Sequence, residues 1–159
     1  MLARFLLSAW FGAATLFVIT GVREVTHSGF DSMIRDQLAV LRFPVYYACG
    51  FAILGSACVS LAVGLFCGLR RRTMYIACGL TAAALGLMAY DYPYIYCPMA
   101  SMITPPGQAR AAEFRQLHLW SETVNAVQVG CVLGAALILC AIDATPVRQG
   151  PPNSEPPES

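Results

Sequence analysis

The chain has 159 residues, 57% of them hydrophobic and 12% charged, with a formal net charge of +1 and a mean hydropathy of +0.60. Such a composition excludes an ordinary soluble domain, and the near-neutral charge offers nothing to nucleic acid. The length leaves room for one domain and no appended catalytic module.

Four apolar stretches dominate: Phe5–Val22, Phe43–Leu69, Met74–Ala89 and Val124–Ile142. A helix crosses the hydrocarbon core with roughly 20 mostly apolar residues, at about 1.5 Å of rise each. No water is available there to satisfy backbone groups, so only helices or closed barrels span it. The stretches show no two-residue alternation, which excludes a barrel. The expected fold is all-α: a four-helix transmembrane bundle over residues 1–143, followed by a disordered, Pro-rich cytoplasmic tail over 144–159.

In the first stretch Arg4 resembles the charged start of a signal peptide. The small residues Gly12, Ala13 and Ala14 come too early for cleavage, however, and apolar chain continues through Leu16–Ile19. A retained first helix is expected. After it, Ser28–Arg42 has Asp31 as a cap and Phe30, Met33, Ile34, Leu38 and Leu41 at three- and four-residue spacing. That pattern predicts a short amphipathic helix in the first outer loop, lying at the interface or prolonging the second span with Pro44 near its start.

Between the second and third stretches stands the dense triplet Arg70, Arg71 and Arg72. Arginines in tight loops favour the cytoplasm, so both termini are expected there, with Arg4 and Arg148 on the same side. The setting expected is a bacterial inner membrane. The other side carries Arg23, Arg35, Arg42, Arg110 and Arg115, spread through longer loops.

Of the seven cysteines, Cys49, Cys58 and Cys67 are nine residues apart and alternate around a helix. Cys78, Cys131 and Cys140 also lie in apolar stretches. No C-x-x-C occurs, and these six read as packing residues. Cys97 differs in lying beyond the third stretch, where Tyr90, Tyr92, Tyr94 and Tyr96 suit a headgroup belt, Pro98 suggests a turn and Pro105-Pro106-Gly107 a break. Asp91 is expected to end the third apolar run among the headgroups, paired with an arginine of the outer loops or in a proton relay with Glu122 or His118.

Near the fourth stretch, His118, Ser121, Glu122, Asn125 and Gln128 fall at offsets 0, 3, 4, 7 and 10 and share a helix face. Leu119, Trp120, Val124, Val127 and Val132 occupy the other positions. Polar groups at membrane depth are costly unless they face the bundle interior, so this stripe is expected to point inward. It would serve as a hydrogen-bonded seam or as a ligand, ion or proton site.

Phe114-Arg-Gln-Leu-His118-Leu-Trp-Ser121-Glu-Thr-Val-Asn125, with Leu41-Arg-Phe-Pro44-Val-Tyr46-Tyr47 opening the second span, resembles the transmembrane protein 205-like family. Those are small four-helix membrane proteins with an F-x-x-L-H-x-x-S-x-x-x-N motif before the last span. The resemblance covers roughly residues 5 to 142 and implies the fold and the membrane location, with no reaction attached.

Three functional classes remain open. The leading one is a non-enzymatic membrane protein whose stripe seams the bundle or takes a small solute, or that assembles as a homo-oligomer in the bilayer. A second is copper handling, since Cys97, Met99, Met102 and His118 are the soft ligands Cu(I) prefers. A third is haem binding through His27 and His118. No Ser-His-Asp set, H-E-x-x-H motif or phosphate-cradling glycine loop is present, so a hydrolase has no residues to rest on.

Overall fold

The computed structural model describes residues 1–67, 72–110 and 112–143. Helix α1 runs Leu2–Thr26, α2 Ser32–Phe66, α3 Arg72–Asp91, a π turn Tyr92–Tyr96, α4 Cys97–Met102 and α5 Ala112–Asp143. Since α3, the π turn and α4 form one continuous rod, the described chain has four helices long and apolar enough to cross a bilayer. It is an all-α membrane bundle. Arg70, Arg71 and the 144–159 tail lie outside the described residues.

Each helix packs chiefly against two neighbours: α1 on α2, α2 on α3, α3 on α5 and α5 on α1. The ring places α2 diagonally across from α5. Inward residues recur by alternating fours and threes, as in Gly50, Leu54, Ala57 and Leu61 on α2 or Ala77, Thr81, Ala84 and Met88 on α3. That is the rhythm of coiled-coil-like packing. Alanines fill much of the interior (Ala14, Ala57, Ala77, Ala84, Ala135) because lipid tails give no hydrophobic drive for helix association. Close approach must supply the attraction, and small side chains permit it.

Thr15, Thr20, Thr81 and Thr123 within the spans each donate the hydroxyl to the carbonyl four residues earlier. Of the cysteines, Cys58, Cys78 and Cys131 are half-buried, whereas Cys49, Cys67, Cys97 and Cys140 face outward.

The amphipathic segment is helical, as expected, and forms the opening turns of α2. Asp31 caps it by accepting from the Ile34 N–H at 2.8 Å. The helix continues through Pro44, an exposed position where one missing donor is tolerated. This extension stands at the end of the bundle that carries the α1–α2 and α4–α5 connections, the capped end. There Asp36, 1% exposed, accepts from Arg110 Nη2 at 2.6 Å and from the Gly107 N–H at 3.1 Å. Gly107 takes a φ of 87°, a conformation glycine adopts without Cβ strain. Beside it Arg42 pairs with Glu24 and lies over the Phe17 ring at 4.6 Å, joining α1 to α2.

Because Asp36 is buried while Arg110 is partly exposed, Asp36→Ala is expected to cost about 1–2 kcal/mol. The larger consequence is release of the connection into α5, read as faster trypsin cleavage after Arg110 in the folded protein. An unchanged cleavage rate would mean that other contacts hold the connection.

The tyrosine-rich chain after α3 is helix, not loop. Pro93 and Pro98 lack N–H groups, and the wider π turn accommodates them, with the Cys97 N–H reaching the Tyr92 carbonyl five residues back. The additional residue moves the inward stripe. A regular helix past Asp91 would bury positions 95, 98 and 102; instead Ile95, Tyr96, Met99 and Ile103 are buried.

Candidate functional site

At the level where α3 gives way to the π turn, three helices place polar side chains together inside the bundle. Asp91, the last residue of α3, is 1% exposed. The Tyr47 hydroxyl of α2 donates to its Oδ2, and Ser121 Oγ of α5 approaches the same oxygen at 3.4 Å. On α5, Asn125 Nδ2 donates to the Ser121 carbonyl at 3.1 Å and lies 3.4 Å from its hydroxyl. The Tyr46 hydroxyl closes the cluster by donating to Asn125 Oδ1 at 3.1 Å. The network thus bridges the diagonal between α2 and α5 through α3.

Aromatic rings wall it. Tyr46 packs against Trp10 at 5.0 Å and Phe17 at 4.3 Å between ring centres, while Tyr47 packs against Tyr92 and Tyr96, each at 5.0 Å. Toward the middle of the bundle, Gly50 is where α2 meets α1 and α3. A Cβ there would lie 2.6 Å from Met88 Sδ and 2.8 Å from Trp10 Cη2. Only glycine admits both side chains.

Among the described residues, Asp91 Oδ1, Trp10 Nε1 and Gln128 Nε2 are buried around this region without a hydrogen-bond partner. They come from α3, α1 and α5. Among the described residues no cationic side chain pairs with Asp91; Arg42 and Arg110 are held by Glu24 and Asp36.

The polar stripe of α5 divides. Ser121 and Gln128 are buried and Asn125 is half-buried, but His118 and Glu122 are exposed and pair with each other, Nε2 to Oε1 at 3.2 Å. The expectation of five inward residues is corrected for these two. At about 100° per residue, Glu122 is turned about 100° and His118 about 60° from Ser121, both to the same flank. Val132, grouped with the outward residues, falls near the inward centre and is fully buried. Asp91 is corrected as well: it is buried inside the bundle on tyrosine and serine, with no arginine partner among the described residues.

The soft-ligand set does not share a direction. Cys97 is exposed, Met99 is buried by the shifted stripe, and Met102 lines an outer groove with Glu113, Gln116, Leu117 and Trp120. His27 ends α1, accepts the Gly29 N–H on Nδ1 at 3.1 Å and packs on Phe30 at 4.7 Å. Among the described residues no three His, Cys, Asp or Glu side chains gather as a metal site.

Tyr46 and Tyr47 are the site residues that reasoning from stripes passed over. Their signal was two adjacent tyrosines within an otherwise apolar span, one turn beyond Pro44. In comparisons with family models, characterised proteins and solved structures, nothing matches this chain.

Proposed function

We propose that this is a non-enzymatic integral membrane protein whose polar cluster both fastens α2, α3 and α5 and holds a small solute. One observation carries the reading: Asp91 Oδ1 is buried without a partner while Oδ2 takes the nearby hydroxyl donors. A carboxylate serving only as a seam gains by having both oxygens satisfied, since an unmatched buried charge is among the costliest groups in a fold. The non-enzymatic reading is supported by the histidines, which are engaged away from the cluster and leave Ser121 with a carboxylate but no imidazole.

Membership of the transmembrane protein 205-like family belongs to the same proposal. The motif Phe114–Asn125 supplies Ser121 and Asn125 to the cluster, while its His118 stays outside. The placement is a bacterial inner membrane with both termini cytoplasmic, which puts the capped end outside. Reporter fusions test it: extracytoplasmic activity at Gln108 and cytoplasmic activity at Arg72 are expected, and the reverse pattern overturns it.

The solute reading is tested on purified protein by screening thermal stability against inorganic ions and small polar molecules, beside Asp91→Asn. This substitution keeps the side-chain shape and removes the charge. At least one solute is expected to stabilise the native chain and leave the variant unmoved. If no solute distinguishes them, the cluster is a seam alone.

A further inference from the structure

We propose that the solute held at Asp91 is a monovalent alkali cation of about sodium's size, an assignment that rests on the solute-site reading above. Beside the Asn125 NH2, which the Ser121 oxygens accept, the side chains present several oxygen donors. Asp91 Oδ1 is buried and unpartnered, Tyr47 and Ser121 hydroxyls keep lone pairs free after donating to Oδ2, and the Asn125 carbonyl oxygen accepts only from Tyr46. Such a set suits hard cations and excludes soft ones.

Charge balance then selects the valence. The cluster holds one carboxylate, and among the described residues no second acid and no cation joins it; Glu122 faces outward on His118, and Asp36 is held by Arg110. One monovalent ion brings the buried site to neutrality, whereas a divalent ion would leave a net positive charge at membrane depth. Size follows from crowding. The donors come from three helices already within hydrogen-bond distance of one another, and aromatic rings stand around them, so a small ion fits with least displacement. The location also coincides with the π turn that follows Asp91, a distortion frequent at functional sites.

The test compares sodium, lithium, potassium and choline chlorides at fixed pH and ionic strength, using the purified full chain, Asp91→Asn and Ser121→Ala. Sodium is expected to raise the Tm of the native chain by about 5 °C or more at saturation. The rise should vanish in Asp91→Asn and need at least tenfold more sodium in Ser121→Ala. Equilibrium dialysis with radioactive sodium should show one ion per chain. Should Asp91→Asn fail to fold, the Ser121→Ala shift and the stoichiometry decide.

A response shared equally by potassium and choline, or a sodium response retained in both variants, overturns the assignment. An Asp91-dependent response to an organic amine or another polar solute, with none to sodium, overturns the alkali-ion identity and leaves the solute site standing. If nothing in either panel acts through Asp91, both proposals fall.

Discussion

Tyr47→Phe is expected to destabilise the protein by about 3 kcal/mol, because it strips a buried carboxylate of its closest donor and leaves Ser121 Oγ at 3.4 Å as the remaining hydroxyl. For a chain of this size that corresponds to a Tm lower by about 6 °C or more. Tyr46→Phe, one position away, is expected to cost only about 1 kcal/mol, since its hydroxyl serves the neutral Asn125 amide at 3.1 Å. The contrast is diagnostic, as both changes remove one oxygen from a buried tyrosine. Removing the charge as well, in Tyr47→Phe with Asp91→Leu, should recover most of the loss. Equal effects at the two tyrosines, or no recovery in the double variant, would show that Tyr47 acts by packing.

Gly50→Ala should be the most damaging single-carbon addition within the spans, at about 2 kcal/mol. The new Cβ would be driven into Met88 Cε and Sδ on one side and Trp10 Cη2 on the other. Met88 is flexible and can withdraw, whereas the indole is held by Tyr46. Met88→Ala in the same chain is therefore expected to restore part of the lost Tm. Gly55, Gly79 and Gly86, which have open space where a Cβ would stand, should accept alanine without loss. Thermal denaturation in detergent reads all of these; similar behaviour at Gly50 and Gly79 would place the three-helix contact elsewhere.

The spans were legible because their signal is bulk hydropathy, which survives any error in side-chain placement. The Asp31 cap was legible too, being a local pairing of a carboxylate with an N–H three residues on. What lies between Asp91 and Met102 was not. Two prolines and three closely spaced tyrosines resemble a headgroup loop, and only neighbouring helices favour a π turn over a break. The shift it imposes decides that Met99 is buried and Cys97 exposed, so the fate of the soft-ligand cluster was hidden with it. The α5 stripe posed a different difficulty. Its polar residues span about a third of the helix circumference, and periodicity gives the stripe's width without saying which edge meets α3. Contact with Asp91 and Tyr46 draws Ser121 and Asn125 inward and leaves His118 and Glu122 to pair outside.

The central claim is that the Asp91 carboxylate meets a small solute inside the bundle. Infrared difference spectroscopy tests it most directly, on protein reconstituted in bilayers and perfused with the small cations and polar solutes of the stability screen. The account predicts a solute-induced change in carboxylate stretching bands that is absent from Asp91→Asn and retained in Glu122→Gln. A difference spectrum without carboxylate bands for every solute, or one unchanged in Asp91→Asn, would contradict it.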